Sequence, residues 1–383
     1  MGKHILILGG GFGGLAAADT LRRSLGSEHK VTLVDQQRLF FMGLTKLWIL
    51  DGRRQVGDNA GNRTDLIKRG IEFIEAEVTA IDTANREVQL RQQKISYDFL
   101  IVTLGAEYSP ASTWGFNRYA KNLYVESGCA EIRDLLRSFN NGTITILVCG
   151  LPFKCPPAPY EASFIIDDVL RRRGVRKEVQ LQIITPEPHP LAILGSEAGR
   201  KLTDLLSNRG IQYHPGEKVR EIRIKSTLTE TGEFPHDLVL AIPVHVVPQI
   251  LKDSGLVDQS GWIPVDSSTM TTSVSDVFAV GDCAGPKTPK GALLPRAGIL
   301  AEEQGKVVAM NIISKIKGSQ ETAKFGGEGV CFMETGNNMA APVRANFYAQ
   351  PAPTWEFTPP STKGFEEKNH FLTERMIRWF GSV

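Results

Sequence analysis

The sequence lacks several features that would mark particular classes of protein. No uninterrupted apolar run approaches the roughly 20 residues of a membrane-spanning helix, so we expect any membrane contact to be peripheral. Neither sign of charge dominates, since the net charge is +2 over 383 residues, and this balance does not indicate an extended basic surface for nucleic acid. Cysteine is scarce, and the five cysteines show neither a disulfide framework nor a CxxC spacing for zinc.

The N-terminus also lacks the pattern of a secretory signal. MGKHILILGGGFGG leads from one lysine directly into a strand and a glycine turn, with no separate apolar region and no small-residue cleavage site. We therefore expect a protein on the cytoplasmic side, in which one or two cysteines are candidates for redox chemistry. With 42% hydrophobic residues, the chain can bury a sizeable core in about two or three domains.

The first motif that is present is a nucleotide-binding turn. HILILGGGFGGLAAADTLRRSL predicts a buried strand over residues 4–8, a turn with Gly9, Gly11 and Gly14, and then a helix. KVTLVDQ places Asp35 at the end of a second strand, where it can accept hydrogen bonds from a ribose. In such a unit the first glycine makes a tight turn, the second lets the backbone approach a pyrophosphate, and the third packs the helix against the strand.

Two later motifs resemble the signatures of the two-dinucleotide-binding flavoproteins. TTSVSDVFAVGDCAG brings Gly281 and Asp282 to a turn after a short strand, and FLIVTLGAEYSP ends a strand at Gly105. The resemblance implies FAD as the cofactor, with Asp282 binding its ribityl chain. GALLPRAGILAEEQGKVVAMNI predicts a long helix with Pro295 near its first turn and its N-terminus facing the flavin.

The middle of the chain predicts a second βαβ unit that has no glycine-rich phosphate loop. TITILVCG is followed by LPFKCPPAPYE, whose four prolines remove N–H donors and restrict the backbone, so binding of NAD(P)H is disfavoured. We therefore expect an α/β protein of glutathione-reductase-like architecture, with two Rossmann-like domains, the second inserted in the first. The predicted parts are 1–105 and 255–320 for the FAD-binding domain, 106–254 for the degenerate NAD(P)H-like domain, and 321–383 for an α+β C-terminal segment.

The proline loop also carries Cys155. It follows Lys154 at a strand-to-helix junction, where positive charge and the helix dipole are expected to lower the pKa of the thiol; a small buried residue that fills the turn is the alternative. FKCPPAPYE closely resembles the cysteine loop of the sulfide dehydrogenases, namely the sulfide:quinone oxidoreductases and the flavoprotein subunit of flavocytochrome c sulfide dehydrogenase. The resemblance implies that Cys155 pairs with Cys331, in EGVCFMETGNN. It also implies that sulfide attacks the sulfur bridge between them, that FAD takes two electrons, and that sulfane sulfur accumulates.

The chain departs from that family in two places. LFFMGLTKLW has no cysteine in the segment through which the flavocytochrome subunit attaches its flavin, so we expect FAD to be bound non-covalently. Cys129, in VESGCAEIRDLL, does not match the third cysteine of many quinone reductases, so its role stays open, with a helix surface expected. Cys149, inside its strand, and Cys283, beside Asp282, are predicted to be structural.

The pattern of the predicted C-terminal helix gives an indication of which electron acceptor the protein uses. KGFEEKNHFLTERMIRWFGSV places Leu372, Met376, Trp379 and Phe380 on one side of a helix, which suits an interfacial membrane anchor and a quinone acceptor. Packing of this side on the protein itself is the alternative. Two other functions stay open: a soluble sulfide or persulfide dehydrogenase that reduces a cytochrome, and a non-catalytic flavin-bound interaction protein. No metal site is indicated, and the oligomeric state stays open.

Overall fold

The computed structural model describes residues 2–381 and contains two five-stranded parallel sheets, followed by a three-stranded antiparallel sheet and a last helix. Within the described residues the helices are α1 (Phe12–Ser24), α2 (Phe116–Tyr119), α3 (Glu126–Leu136), α4 (Ala158–Arg172), α5 (Ser196–Asn208), α6 (Gln249–Asp253), α7 (Gly298–Lys317) and α8 (Thr362–Phe380). The strands are β1 (His4–Leu8), β2 (Lys30–Asp35), β3 (Leu39–Phe40), β4 (Gly61–Asn62), β5 (Glu72–Glu75), β6 (Val78–Asp82), β7 (Glu87–Leu90), β8 (Lys94–Ser96), β9 (Phe99–Val102), β10 (Glu107–Ser109), β11 (Ala120–Asn122), β12 (Gly142–Val148), β13 (Val179–Ile184), β14 (Ile211–His214), β15 (Val219–Ile222), β16 (Ser226–Thr229), β17 (Glu233–Pro235), β18 (Leu238–Ile242), β19 (Val244–Val246), β20 (Val277–Ala279), β21 (Glu328–Glu334), β22 (Ala340–Asn346) and β23 (Thr354–Phe357).

The first sheet joins strands from both ends of the predicted discontinuous domain. Its order is β5-β2-β1-β9-β20, and all its strand pairs are parallel. The central strand β1 is buried because one face packs under α1 and α7 and the other under the antiparallel strands β6 and β7. The two helices cross closely at glycines, since a Cβ on Gly305 would lie 2.2 Å from the carbonyl oxygen of Gly13.

The second sheet lies in the inserted part of the chain. Its order is β11-β18-β12-β13-β14, again with parallel pairs. Alternate side chains of β12 pack into a core shared with α3 and α4, which is the arrangement expected when helices cover a parallel sheet. The antiparallel pair β10 and β19 is formed by residues 107–109 and 244–246, just inside the two predicted boundaries of this part.

The C-terminal segment packs on both sheet-containing parts, and its last helix is held by the first of them. The apolar stripe of α8 is buried: Leu372, Met376, Trp379 and Phe380. The ring centroid of Trp379 lies 5.5 Å from that of Phe12 and 5.7 Å from that of Phe40. The membrane-anchor interpretation of this stripe is therefore wrong, because Phe12 and Phe40 offer the helix an apolar surface within the protein. No helix among residues 2–381 is both long and apolar enough to cross a bilayer.

Replacement of the stripe's largest side chain tests this packing. Trp379 is 1% exposed, so we expect Trp379→Ala to lower the free energy of unfolding by about 3–5 kcal/mol. The matched control is Ile377→Ala on the same helix, where the side chain is 49% exposed and the expected change is below about 0.5 kcal/mol. Urea unfolding measures both variants, and equal small losses would contradict the packing described for α8.

Candidate active site

A cleft of about 580 Å³ lies at the carboxyl ends of the first sheet. Six residues predicted to bind the cofactor line it: Gly9, Gly11, Asp35, Gly105, Gly281 and Asp282. The cleft therefore follows the edge of the sheet where the sequence motifs end, which is where an open α/β sheet binds dinucleotides. Of the two remaining predicted residues, Gly14 lies inside α1, and Pro295 lies beside a different cavity.

The three glycines of the first turn have different surroundings. Gly9 has φ +103°, and a Cβ there would lie 2.2 Å from the carbonyl oxygen of Thr103, so a side chain is excluded by conformation and by space. A Cβ on Gly14 would lie 2.0 Å from the carbonyl oxygen of Gly9. A Cβ on Gly11 would meet no protein atom within 4 Å, and it would point into space that the fold leaves free. Gly9 and Gly14 therefore shape the turn, and Gly11 is the glycine that leaves room for a ligand.

Asp35 is held in position at the same turn. Its carboxylate accepts hydrogen bonds from the N–H of Gly10 and of Gln37, both at 2.7 Å. The buried guanidinium of Arg63 lies 3.5 Å away and donates to the carbonyl oxygen of Gly10 at 2.7 Å from Nη2 and 3.0 Å from Nε. Sequence reasoning missed Arg63, because nothing in its own segment signals a partner in the glycine turn.

Two opposite charges lie where the cleft ends: the half-buried Asp282 lines the cleft, and the buried Arg296 lines the adjoining cavity. Burial raises the pKa of Asp282, although Lys154 and Arg296 partly oppose the change. Arg296 is 4% exposed; burial lowers its pKa to about 10, and its guanidinium carbon lies 3.5 Å from the ring centroid of Trp262. Its Nη1 donates to the carbonyl oxygen of Ala284 at 3.2 Å, but Nε and Nη2 have no hydrogen-bond partner among the described residues. Buried donors require acceptors, so the cavity that Arg296 lines fits a ligand with anionic or carbonyl oxygens.

The predicted position of Pro295 in the first turn of α7 is wrong. The helix begins at Gly298, and Ala297 before it is extended, with φ −143° and ψ 138°. The backbone of Arg296 forms an isolated parallel bridge with Lys154, and its carbonyl oxygen accepts a hydrogen bond from the N–H of Cys155 at 2.7 Å. These contacts with the proline loop keep the chain extended, so that the helix starts three residues after Pro295.

The two predicted redox cysteines line one cavity of about 220 Å³. Cys155 comes from the loop between β12 and α4, and Cys331 comes from β21, where it pairs with Val343 of β22. This cavity continues the cleft, because both are lined by Phe12, Gly43, Lys154, Asp282 and Gly298. The structure thus brings both cysteines to the end of the nucleotide cleft, and we call this space the cysteine cavity.

The backbone at Cys155 is in the left-handed region, with φ +52°. A non-glycine residue in this region is uncommon, and it persists where the surroundings hold it. Here the N–H of Cys155 donates to Arg296 and its carbonyl oxygen accepts from the N–H of Ala158 at 2.8 Å. These bonds fix the thiol at the start of α4, so the loop serves to place Cys155 against the cleft.

The expectation of a lowered pKa at Cys155 is wrong. Burial, Glu161 and Cys331 raise the pKa of Cys155, and burial raises that of Cys331 to about 12. Lys154 does not face the thiol; its Nζ donates to the carbonyl oxygen of Ala106 at 3.1 Å and lies 4.4 Å from the ring centroid of Tyr108. Both cysteines are free, so each thiol needs a base before it acts as a nucleophile.

The other three cysteines lie outside this cavity. Cys129 is fully buried on α3, with its thiol 3.3 Å from the carbonyl oxygen of Leu123, so the expectation of a helix surface is wrong. Cys129 lies on the side of α3 that packs on the second sheet, together with Ile132 and Leu136. Cys283 is also fully buried, and its sulfur lies 3.4 Å from the carbonyl oxygen of Val280. Cys149 is half-buried at the end of β12, against a small apolar cluster.

A buried pair of opposite charges lies against the cysteine cavity. Glu161, in the first turn of α4, lines the cavity, and its Oε1 lies 2.8 Å from Nζ of Lys368 on α8. The sequence segment CPPAPYE contains Glu161, but its partner is far along the chain, so sequence reasoning gave neither residue a role. The same turn of α4 is covered by the C-terminal sheet, where a phosphate-binding helix would expose its N–H groups.

Comparisons with known proteins agree with this architecture. The family model of the pyridine nucleotide-disulphide oxidoreductases matches residues 3–150 and 161–305. The mouse protein "sulfide:quinone oxidoreductase, mitochondrial" is 24% identical over 378 residues, which cover 92% of this chain and 80% of the mouse protein. The sulfide-quinone reductase of Aquifex aeolicus is 25% identical over 361 residues, covering 88% of this chain and 82% of that protein. The X-ray structure of the A. aeolicus sulfide:quinone oxidoreductase superposes with a TM-score of 0.88 at 22% identity, covering 99% of this chain and 92% of that chain. The predicted fold class is confirmed.

Proposed function

Because the chain belongs to the pyridine nucleotide-disulphide oxidoreductase family, we propose that it oxidises sulfide through FAD and passes the electrons to a quinone. The observation that carries this proposal is the meeting of Cys155 and Cys331 in a cavity that continues the nucleotide cleft. The curated relatives from mouse and A. aeolicus are named for sulfide and quinone, so the resemblance inferred from FKCPPAPYE is confirmed.

Different residues of the cleft and of the cysteine cavity would bind different parts of FAD. The N–H groups at the start of α1, beside Gly11, would face the pyrophosphate, and Asp35 would accept from the adenosine ribose. Asp282 would meet the ribityl chain, and the unpaired nitrogens of Arg296 would donate to acceptor atoms at the flavin end. Bound FAD supplies the acceptance of two electrons.

The cysteine pair performs the sulfur chemistry. Cys155 and Cys331 are free thiols in this structure, and the proposed reaction starts from the oxidised protein, in which they are joined. Hydrosulfide attacks one sulfur of that bond, so that the bond between the cysteines breaks and a new sulfur–sulfur bond forms. One cysteine then carries a persulfide and the other leaves as a thiolate. A new bond between this thiolate and the outer sulfur of the persulfide gives a trisulfide between Cys155 and Cys331, with loss of the persulfide proton and of two electrons that bound FAD would accept. The added sulfur stays in the bridge as sulfane sulfur.

Sulfide, rather than NAD(P)H, is the electron donor in this proposal. The phosphate-binding turn of the second domain is replaced by the proline loop, and the first turn of α4 is buried: Ala158, Pro159, Tyr160 and Glu161. A buried helix start that carries a carboxylate disfavours a pyrophosphate, both by steric exclusion and by like charge.

Loss of FAD on denaturation tests how the cofactor is held. No cysteine is among the described residues that line the cleft, and none occurs in residues 39–48. We therefore expect acid or heat to release intact FAD from the purified protein, with no flavin left on the precipitated chain. A flavin-bearing peptide recovered after proteolysis would contradict non-covalent binding.

A protein electron carrier is the second candidate acceptor. It is favoured by the burial of the α8 stripe, since that stripe is not free to meet a membrane where quinone dissolves. We expect sulfide-dependent reduction of decylubiquinone by the purified protein at a rate well above its reduction of cytochrome c. The opposite order of rates would favour a protein electron carrier as the acceptor.

A further inference from the structure

Lys368 of α8 joins two buried carboxylates. It is 1% exposed, and its Nζ lies 2.8 Å from Oε1 of Glu161 and 3.4 Å from Oε2 of Glu334. The N–H of Glu334 also donates to Oε1 of Glu161 at 3.0 Å. Lys368 is hydrogen-bonded to Glu161 and ion-paired with Glu334, so the three groups form one continuous buried cluster of charges.

The two carboxylates face different cavities. Glu161 lines the cysteine cavity, whereas Glu334 lines a polar cavity of about 350 Å³ together with Asp51, Arg53 and Asp168. The described residues that line one cavity do not line the other. Lys368, which lines neither, is the group between them, and we call the second space the polar cavity.

The proposed chemistry produces protons in the cysteine cavity. Oxidation of hydrosulfide to sulfane sulfur releases two electrons and one proton, and oxidation of hydrogen sulfide releases two electrons and two protons. Bound FAD would accept the two electrons together with one proton, so hydrosulfide leaves no net proton and each molecule of hydrogen sulfide leaves one. This remaining proton needs a way out other than the nucleotide cleft, because bound FAD would fill the cleft that the cysteine cavity continues.

We propose that Glu161, Lys368 and Glu334 form a proton path from the cysteine cavity to the polar cavity, a role that rests on the proposed oxidation of sulfide. Glu161 accepts the proton released by the sulfur substrate or by a thiol. Lys368 takes this proton as it gives one of its own to Glu334, so that its ammonium keeps its charge throughout. Glu334 releases the proton to the water of the polar cavity.

The charges around the path suit capture of a proton at Glu161 and its release from Glu334. Burial raises the pKa of Glu161, with Glu334 adding to the effect and Lys368 opposing it, so this carboxylate is a base of useful strength. The pKa of Glu334 is lowered, because Lys368, Arg53 and Trp48 outweigh its burial, and a weaker base releases its proton readily. Around Glu161 the facing titratable groups are Lys368, Glu334, Cys155, Cys331 and Tyr124.

Arg53 and Trp48 position the end of the path. Arg53 Nη1 donates to Oε1 of Glu334 at 2.8 Å, and Nε donates to Asp51 at 2.6 Å. Trp48 Nε1 donates to Oε2 of Glu334 at 2.7 Å. A guanidinium does not give up its proton in proteins, so Arg53 orients Glu334 and does not carry the proton itself.

Replacement of Lys368 by arginine separates charge from proton transfer. Lys368→Arg keeps the positive charge between the carboxylates but cannot relay a proton, whereas Lys368→Met removes both properties. Sulfide is mixed anaerobically with the FAD-loaded protein in weak buffer, and flavin absorbance and a pH-indicator dye are recorded together. At a mildly acidic pH, where hydrogen sulfide predominates, we expect wild-type bleaching and the release of its one net proton to coincide. In Lys368→Arg and in Glu334→Gln both signals should slow by about tenfold or more. The control is Glu302→Gln. Glu302 of α7 forms another buried ion pair with α8, in which its Oε2 lies 2.6 Å from Nε of Arg375. This variant should leave the two signals coincident and near their wild-type rates.

Alkylation of Cys155 gives a readout that does not need sulfide turnover. Iodoacetamide is added to thiol-reduced protein over a range of pH, and the Cys155 peptide is followed by mass spectrometry. Lys368 lowers the pKa of this thiol, so Lys368→Met should shift alkylation to higher pH, and Lys368→Arg should restore the wild-type profile.

The two measurements on Lys368→Arg together decide the role of Lys368. A wild-type alkylation profile with slow proton release shows that Lys368 relays a proton. A wild-type alkylation profile with wild-type proton release shows that Lys368 is only structural. Proton release at the wild-type rate in Lys368→Arg and Glu334→Gln would overturn the path, whereas a wild type that sulfide does not bleach would overturn the proposed function instead.

Discussion

Cys155→Ser and Cys331→Ser, each alone, are expected to reduce the rate of sulfide-driven flavin reduction by about a thousandfold or more, and the double variant should be scarcely slower. The reason is that the two sulfurs form one bridge, so either serine removes the whole bridge. Both residues line the cysteine cavity, and neither belongs to the glycine turns that bind the nucleotide. The measurement is stopped-flow absorbance of the flavin after anaerobic mixing with sulfide.

Two controls keep this result specific. Both serine variants should retain FAD and be reduced by dithionite, since the cofactor cleft is intact. Cys149→Ser should keep near wild-type bleaching, because Cys149 is half-buried at the end of β12 and lines neither the cleft nor the cysteine cavity. Near wild-type bleaching in Cys331→Ser would instead assign that residue to the core.

Gly11→Val is expected to yield a folded protein with less than about a tenth of the wild-type flavin content. A Cβ at this position meets no protein atom within 4 Å, and the backbone there has φ −83°, so valine fits the chain. The added methyl groups occupy the space where the pyrophosphate approaches the turn. The visible flavin spectrum and the ratio of FAD to protein measure the loss.

Gly14→Ala is the matched comparison for this prediction. Its Cβ would lie 2.0 Å from the carbonyl oxygen of Gly9, so the variant should lose fold stability rather than ligand space. Thermal unfolding followed by circular dichroism should show a lowered Tm for Gly14→Ala and a value near that of wild-type apoprotein for Gly11→Val. Full flavin occupancy in Gly11→Val would mean that the cofactor does not lie over this turn.

The parts of the fold that the sequence predicted depend on short-range patterns. The strand over residues 4–8 and the end of β2 at Asp35 agree with the structure residue by residue. Both follow from an apolar run closed by glycines or by an acidic residue within one segment. Cys155 and Cys331 were paired only through a family resemblance, since no local pattern links the proline loop to β21.

The features that the sequence did not predict depend on contacts between distant segments. Arg63 and Arg296 belong to the site only because folding buries them there. Arg63 contacts Gly10, and Arg296 contacts Trp262. Glu161 and Lys368 become a pair only when α8 packs on the start of α4. No periodicity or spacing in one segment carries this information.

Two wrong expectations have the same physical origin. Lys154 is adjacent to Cys155 in the chain, but its side chain turns to Ala106, so the pKa of the thiol is set by burial and Glu161. The stripe on α8 has the same period whether it meets lipid or protein, and only the position of Phe12 and Phe40 decides between them. In both cases the local pattern is correct, and the partner comes from elsewhere.

Anaerobic reduction of the FAD-loaded wild-type protein by sulfide, compared with reduction by NADH, tests the central claim most directly. The visible absorbance of the oxidised flavin is recorded after mixing with each donor in separate experiments. We expect rapid bleaching by sulfide and little bleaching by NADH at the same concentration, because the cysteine pair adjoins the cleft and the proline loop replaces the phosphate turn. Rapid bleaching by NADH with none by sulfide would contradict the proposed function.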